Sequence, residues 1–223
     1  MNSTATGGDP QPNSADRDLP PRVAELERRL ARRVVVGIAG PPGAGKSTLA
    51  ARLAERLGAE GIPTALLPMD GFHLPQAELV ALGRRERMGA PDTFDVAGFA
   101  AALRAVRETD GPVRAPGFDR AIEEPVPGAV VVPAEARVVI AEGNYLLHDA
   151  GGWEGIRPLL DLTAYLLVDD GLRRRRLVAR HVAFGKSPEA AEAWVREVDE
   201  PNAVLVARGL PLADLRVAVD PGP

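Results

Sequence analysis

Eight consecutive residues, Gly40-Pro41-Pro42-Gly43-Ala44-Gly45-Lys46-Ser47, fill the pattern G-x-x-x-x-G-K-[ST] at every fixed position. They stand between an apolar run and a stretch of helical periodicity, and few folds accommodate that order. Residues 34–39 carry only apolar side chains and one glycine, as a strand buried on both faces requires. Residues 47–58 set Leu49, Leu53 and Leu57 on one helical face and close on Gly58. Glycines at the bend let backbone N–H groups turn around an anion, and a helix starting near Lys46 adds its positive end. In such a cradle Gly40, Gly43, Ala44, Gly45 and Thr48 line the phosphates. Lys46 can bridge β- and γ-phosphate oxygens, and Ser47 can ligate Mg²⁺. The segment predicts a nucleoside triphosphate site, with ATP as the default ligand and Mg²⁺ as its metal.

Further strands are predicted at 64–69, 138–141, 164–168 and 215–219. Helices are predicted at 22–32, 96–107, 154–160, 171–184 and 188–207, and short extended pieces at 113–118 and 129–132. Strands alternating with helices give a parallel sheet covered on both faces. The expected fold is therefore α/β: a three-layer P-loop NTPase fold with a five-stranded parallel sheet and an arginine-rich lid helix. Residues 1–20 are rich in Gly, Pro, Ser, Asn and Asp without apolar periodicity and read as a disordered tail, leaving 21–223 as one domain.

Composition excludes several classes. No apolar stretch approaches the ~18 residues of a membrane span, and no secretion signal opens the chain. Cysteine is absent, which removes disulfides and thiolate metal sites and fits a cytoplasmic protein. A formal net charge of −4 disfavours nucleic acid as a partner. Of the 27 basic residues only Lys46 and Lys186 are lysines, so each survives a strong arginine bias.

In an open parallel sheet, ligands sit at the carboxyl ends of the strands, and two acids are predicted there. Asp70 closes the strand at 64–69, where a carboxylate can accept the proton of an attacking hydroxyl; Asp70-Gly71 is equally a turn signal. Glu142 closes the strand at 138–141, where a carboxylate can bind Mg²⁺ directly or through water. On the helix at 171–184, Arg173, Arg176 and Arg180 fall within about 60° of arc and could cover the triphosphate. A solvated basic face is the plainer reading of such a run.

These segments, in this order, resemble the P-loop kinases of the phosphoribulokinase, uridine kinase and bacterial pantothenate kinase group, over about residues 33–220. Asp70-Gly71-Phe72-His73 looks like the segment whose Asp is the catalytic base. Gly89-Ala90-Pro91-Asp92-Thr93-Phe94-Asp95 and Glu142-Gly143 are similar to two later family segments, and the arginine helix stands in the lid's place. The resemblance implies an ATP-dependent kinase acting on a hydroxyl of a small molecule. By position His73, Phe94, Arg120 and Tyr145 become candidate acceptor contacts, and Asn202 a candidate adenine contact. Arg120 aligns with a substrate-contacting histidine of pantothenate kinases. Gly89 replaces the Asp that holds the ribose diol in uridine kinases, which disfavours uridine. His148, His181, Trp153 and Trp194 read as structural or surface residues. The alternative is a nucleotide-gated switch protein, but no Asn-Lys-x-Asp guanine-reading segment accompanies the loop. The sequence leaves the acceptor's identity and a possible homodimer open.

Overall fold

A computed structural model describes residues 13–218. The strand at the centre of the sheet is β2 (Val34–Ala39), fully buried along its length. It pairs in parallel with β6 (Val138–Gly143) on one side and β7 (Leu162–Leu167) on the other. Beyond them lie β3 (Thr64–Pro68) and β8 (Leu215–Ala218), again parallel. These are the five strands expected. A two-residue strand, β1 (Asn13–Ser14), adds a sixth at the β8 edge, giving the order β1-β8-β7-β2-β6-β3.

Alternation along β2 feeds two cores. Val34, Val36 and Ile38 face Leu49, Leu53 and Leu57 of α2 (Lys46–Ala59) and Leu19 and Val23 of α1 (Ala15–Arg29). Val35 and Ala39 face the other way, into a cluster holding Trp153 together with Phe99, Leu103 and Val106 of α4 (Val96–Glu108). Each face thus buries a continuous apolar layer, the dominant stabilising term of such a fold.

Several expectations need correction. Residues 13–20 are not a disordered tail: they form β1 and the first part of α1, while residues 1–12 lie outside the described region. Pro20 and Pro21 make this segment look like a helix start, yet they lie inside α1. The interior hydrogen bonds they forfeit are offset by Ala15, Leu19 and Val23, all essentially buried. The helix expected at 154–160 is two single 3₁₀ turns, Trp153–Gly155 and Arg157–Leu159, separated at Ile156, with Pro158 inside the second. The helix expected at 188–207 divides into α6 (Pro188–Trp194), a π-helical turn at Val195–Asp199, and α7 (Glu200–Ala207). The extended pieces lengthen into an antiparallel hairpin outside the main sheet, β4 (Val113–Asp119) and β5 (Glu124–Val132). Among the described residues no helix is long and apolar enough to cross a membrane.

One buried cation fixes the loops at the far end from the site. The Arg33 guanidinium donates to the carbonyls of Thr109, Gly111, Ala134 and Ala136 at 2.8–3.0 Å. A lysine has three donors on one nitrogen and cannot span this fork. Arg33→Lys should lower stability by about 2–3 kcal/mol in urea unfolding, since buried carbonyls lose charged donors. A midpoint unchanged from wild type would show that these loops hold without it.

Candidate active site

The phosphate cradle is built where β2 ends. Gly43 has φ +77°, and a Cβ there would stand 2.8 Å from Leu177 Cγ and 2.9 Å from the Arg173 carbonyl oxygen. Backbone conformation and space both demand glycine. α2 opens directly on Lys46, whose side chain is buried. Its Nζ donates to Pro41 O (3.1 Å) and to Asn144 Oδ1 (2.6 Å). Burial pulls this ammonium down to about 8, and the Glu142 and Asp70 carboxylates offset only part of that. A buried ammonium whose direct hydrogen bonds go to neutral oxygens can take a further, anionic partner such as a phosphate oxygen.

Ser47 Oγ donates to Glu142 Oε1 at 2.9 Å. Glu142 is buried, and burial followed by repulsion from Asp70 raises its pKa. A buried carboxylate and a hydroxyl side by side are hard oxygen donors that fit Mg²⁺. Among the described residues no group of three or more acidic or histidine side chains gathers as a metal cage.

Asp70 lies in the 3₁₀ turn Met69–Phe72 that follows β3. A Cβ on Gly71 would fall on the Pro116 carbonyl oxygen, so the hairpin packs directly against this turn. Burial pushes the Asp70 carboxyl up, but the surrounding His73, Arg120, Lys46 and Arg180 outweigh it and hold it below the usual carboxylate range. Arg120, at the hairpin tip, donates through Nη2 to Asp70 Oδ2 at 2.5 Å. His73 is stacked between Phe94 and Phe118, with ring centroids 4.0 and 4.6 Å away. Its Nδ1 lies 2.8 Å from the Asp70 carbonyl. A carbonyl only accepts, so Nδ1 carries the proton. Burial lowers the His73 pKa, and the neutral ring leaves Nε2 as an acceptor.

Lys46, Asp70, His73, Arg120, Glu142 and Arg180 line one cavity of about 150 Å³. Phe94 contributes to the same wall. Arg180, on α5 (Asp170–Ala183), has its pKa lowered chiefly by burial. Arg176 is exposed, its Nη1 3.7 Å from where a Cβ on Gly45 would stand. Arg173 departs from the expected stripe. It is 1% exposed and ion-paired with Asp170 (3.1 Å) and Glu200 (2.5 Å), because this face of α5 packs on the loop rather than over it. Its guanidinium ties α5 to α7. Tyr145 also departs from expectation. Its ring is fully buried among Phe94, Trp153 and His148, and its hydroxyl donates to Gly89 O at 2.6 Å. It anchors the loop that contains Gly89 and does not reach the cavity. Asn202 is buried and does not line this cavity.

The sequence reading gave Asn144 no site role, although it stands two positions after Glu142. It also assigned His181 and Trp194 to structure or surface, yet both line the cavity together with Lys186 and Asp199. His181 Nε2 lies 2.8 Å from Asp199 Oδ2. The π-helical turn brings Asp199 there, and no local sequence signal marks that contact.

Residues 35–221 match the model of the phosphoribulokinase / uridine kinase family. The chain belongs to this family. A candidate uridine kinase of Schizosaccharomyces pombe is 39% identical over 184 residues, covering 78% of this chain and 77% of its relative. The uncharacterized protein YggC of Escherichia coli is 38% identical over 189 residues, covering 83% and 78% respectively. A candidate fructose transport system kinase from a Silicibacter species superposes with a TM-score of 0.78 at 38% identity, covering 91% of this chain and 98% of that one. The fold is thus that of the P-loop kinases, and the chain is an ATP-dependent small-molecule kinase.

The Lys46 environment sets a pH dependence. Its ammonium titrates near 8 in the free protein, so the cation is present below that pH and lost above it. kcat/KM for ATP should therefore fall about tenfold per pH unit above ~8. Bound phosphate favours the ammonium, so kcat should hold to higher pH. A kcat/KM profile flat to about pH 9.5 would contradict this placement.

Proposed function

We propose that this protein transfers the γ-phosphoryl group of ATP to a hydroxyl of a small metabolite bound beneath the β4–β5 hairpin, with Asp70 as the general base. The supporting observation is that Asp70, held ionised by its neighbours, shares a cavity with the phosphate-binding Lys46 and with Glu142. In the reaction the acceptor hydroxyl loses its proton to the Asp70 carboxylate while its oxygen bonds to the γ-phosphorus. The bond from that phosphorus to the β,γ-bridging oxygen breaks, and ADP leaves. Lys46, Arg176 and Arg180 balance charge on the transferring oxygens, which concentrates stabilisation where charge develops. Ser47 and Glu142 would hold Mg²⁺, which neutralises phosphate charge when bound. His73 Nε2 can accept a hydrogen bond from a second acceptor hydroxyl.

The nucleoside end of ATP has a separate place. A hollow beside Pro41 is walled by Leu167 and Val168 at the end of β7 and by Ala203, Val204 and Ala207 of α7. Small apolar side chains on two walls suit a flat purine ring. Ala207→Trp would fill this hollow and should raise KM for ATP about tenfold or more with acceptor KM little changed. An unchanged KM for ATP would put the base elsewhere.

Asp70→Asn should lower kcat by about 10²-fold or more while ATP affinity stays near wild type, the scale of general-base loss. A folded variant unable to bind ATP would assign Asp70 to the nucleotide site and overturn the mechanism.

Uridine should be a poor acceptor. Gly89 offers no side chain to a ribose diol, and its carbonyl already accepts from Tyr145. Unpaired buried donors cost about 1–3 kcal/mol each, enough to discriminate against a mismatched acceptor. Steady-state kinetics should give uridine a kcat/KM more than tenfold below the best acceptor. A value within tenfold would remove the argument from Gly89.

A further inference from the structure

The acceptor cavity is lined by four basic side chains, Lys46, Arg120, Arg180 and Lys186. Three have evident occupation. Lys46 bonds within the cradle, Arg120 pairs with Asp70, and Arg180 stands among Asp70, Arg120 and Asp199 near the point of transfer. Lys186 differs. Among the described residues no carboxylate lies within ion-pairing distance of it, and its ammonium sits 4.4 Å from the centroid of the Trp194 ring. All four carboxylates in the wall are already partnered. Asp70 pairs with Arg120, and Glu142 accepts from the Ser47 hydroxyl. Asp199 is bonded to His181, and Glu123 is paired with Arg85 at 2.5 Å.

The backbone holds Lys186 where it is. α5 ends in a Schellman turn: Gly185 adopts φ +95°, its N–H donates to Val182 O, and the Lys186 N–H donates to His181 O. The lysine is therefore presented from a fixed helix end, half-buried and steadied by an aromatic face. It does not line the hollow proposed for the base of ATP. A lysine kept in a chain rich in arginine, lining this cavity with no carboxylate among the described residues in ion-pairing distance, is available to an anionic group on a ligand.

We infer that the phosphoryl acceptor itself carries an anionic group, a carboxylate or a phosphate, and that Lys186 is the residue that reads it. This rests on the kinase reading above and narrows it to acidic hydroxy metabolites. Nothing separates carboxylate from phosphate in the wall, since an ammonium meets either as a point charge.

Matched acceptors decide the question by ADP release: D-glycerate against glycerol, pantothenate against pantothenol, and fructose 6-phosphate against fructose. The charged member should be preferred by about tenfold or more in at least one pair, and the pair that shows it distinguishes carboxylate from phosphate. On that acceptor Lys186→Gln should raise KM by about ten- to hundredfold, while KM for ATP shifts far less. Lys186→Arg should restore most of the acceptor KM, which a merely structural role would not predict. Preference for the neutral member in every pair, or a Lys186→Gln defect expressed in KM for ATP, would overturn this inference and leave the kinase reading standing. No transfer to any acceptor above the acceptor-free rate would overturn both.

Discussion

The register of three parallel strands sets the positions of the site. Ile38 of β2 and Pro68 of β3 both stand level with Glu142 of β6, so the three strands run out at one height. The segments that leave their ends are then forced into proximity: the phosphate loop after β2, Asn144 after β6, Asp70 after β3. A slip of one residue would carry Glu142 to the other face of the sheet and remove it from Ser47. The apolar layers on both faces make such a slip costly, because every side chain of the strand would change cores. Stability and site geometry therefore draw on the same ladder.

The charges gathered at that edge are matched to work with phosphate. Lys46 and Arg180 both lie below their ordinary pKa because burial strips their solvent, and Asp70 lies below its own because cations surround it. Glu142 moves the opposite way. The site thus gathers partly desolvated charges of both signs, an arrangement that costs folding energy and is kept where charged substrates must be handled. Arg120 contributes to both conditions: it balances Asp70 before an acceptor arrives and belongs to the hairpin that closes the cavity.

The five long strands were legible because buried parallel strands read as unbroken apolar runs, and 34–39 and 138–141 are such runs. β1 was not, because two polar residues carry no period. The start of α1 was missed because residues 1–20 read as a tail from their Gly, Pro, Ser, Asn and Asp content, and only burial of Leu19 shows otherwise. In the site, the phosphate loop and the acids at 70 and 142 were visible as local patterns at strand ends, and the structure brings them together. Arg173 does not lie on a covering stripe but at the wall of the hollow beside Pro41, and Tyr145 does not line the cavity, because a helical angle or a chain position does not say which neighbour a side chain meets. Glu200 and Gly89, distant in sequence, hold them. Lys186, Trp194 and Asp199 converge only through the fold of the segment after α5, where a π-helical turn interrupts a periodicity that reads as continuous.

The same segment has a kinematic consequence. α5 and its Schellman turn form one stiff rod: Arg173 is pinned to α7 at one end, Arg176 and Arg180 stand along it, and Lys186 is locked to its tip. Any rotation of that rod about its pinned end moves these last three cations in a fixed ratio, least at the cradle and most at the tip. On the proposed reading, contact with the nucleotide and contact with the acceptor would be two readings of a single coordinate. A substrate that satisfied one end would position the other before its partner arrived, so synergy between the two substrates would come from leverage and would need no second conformational element.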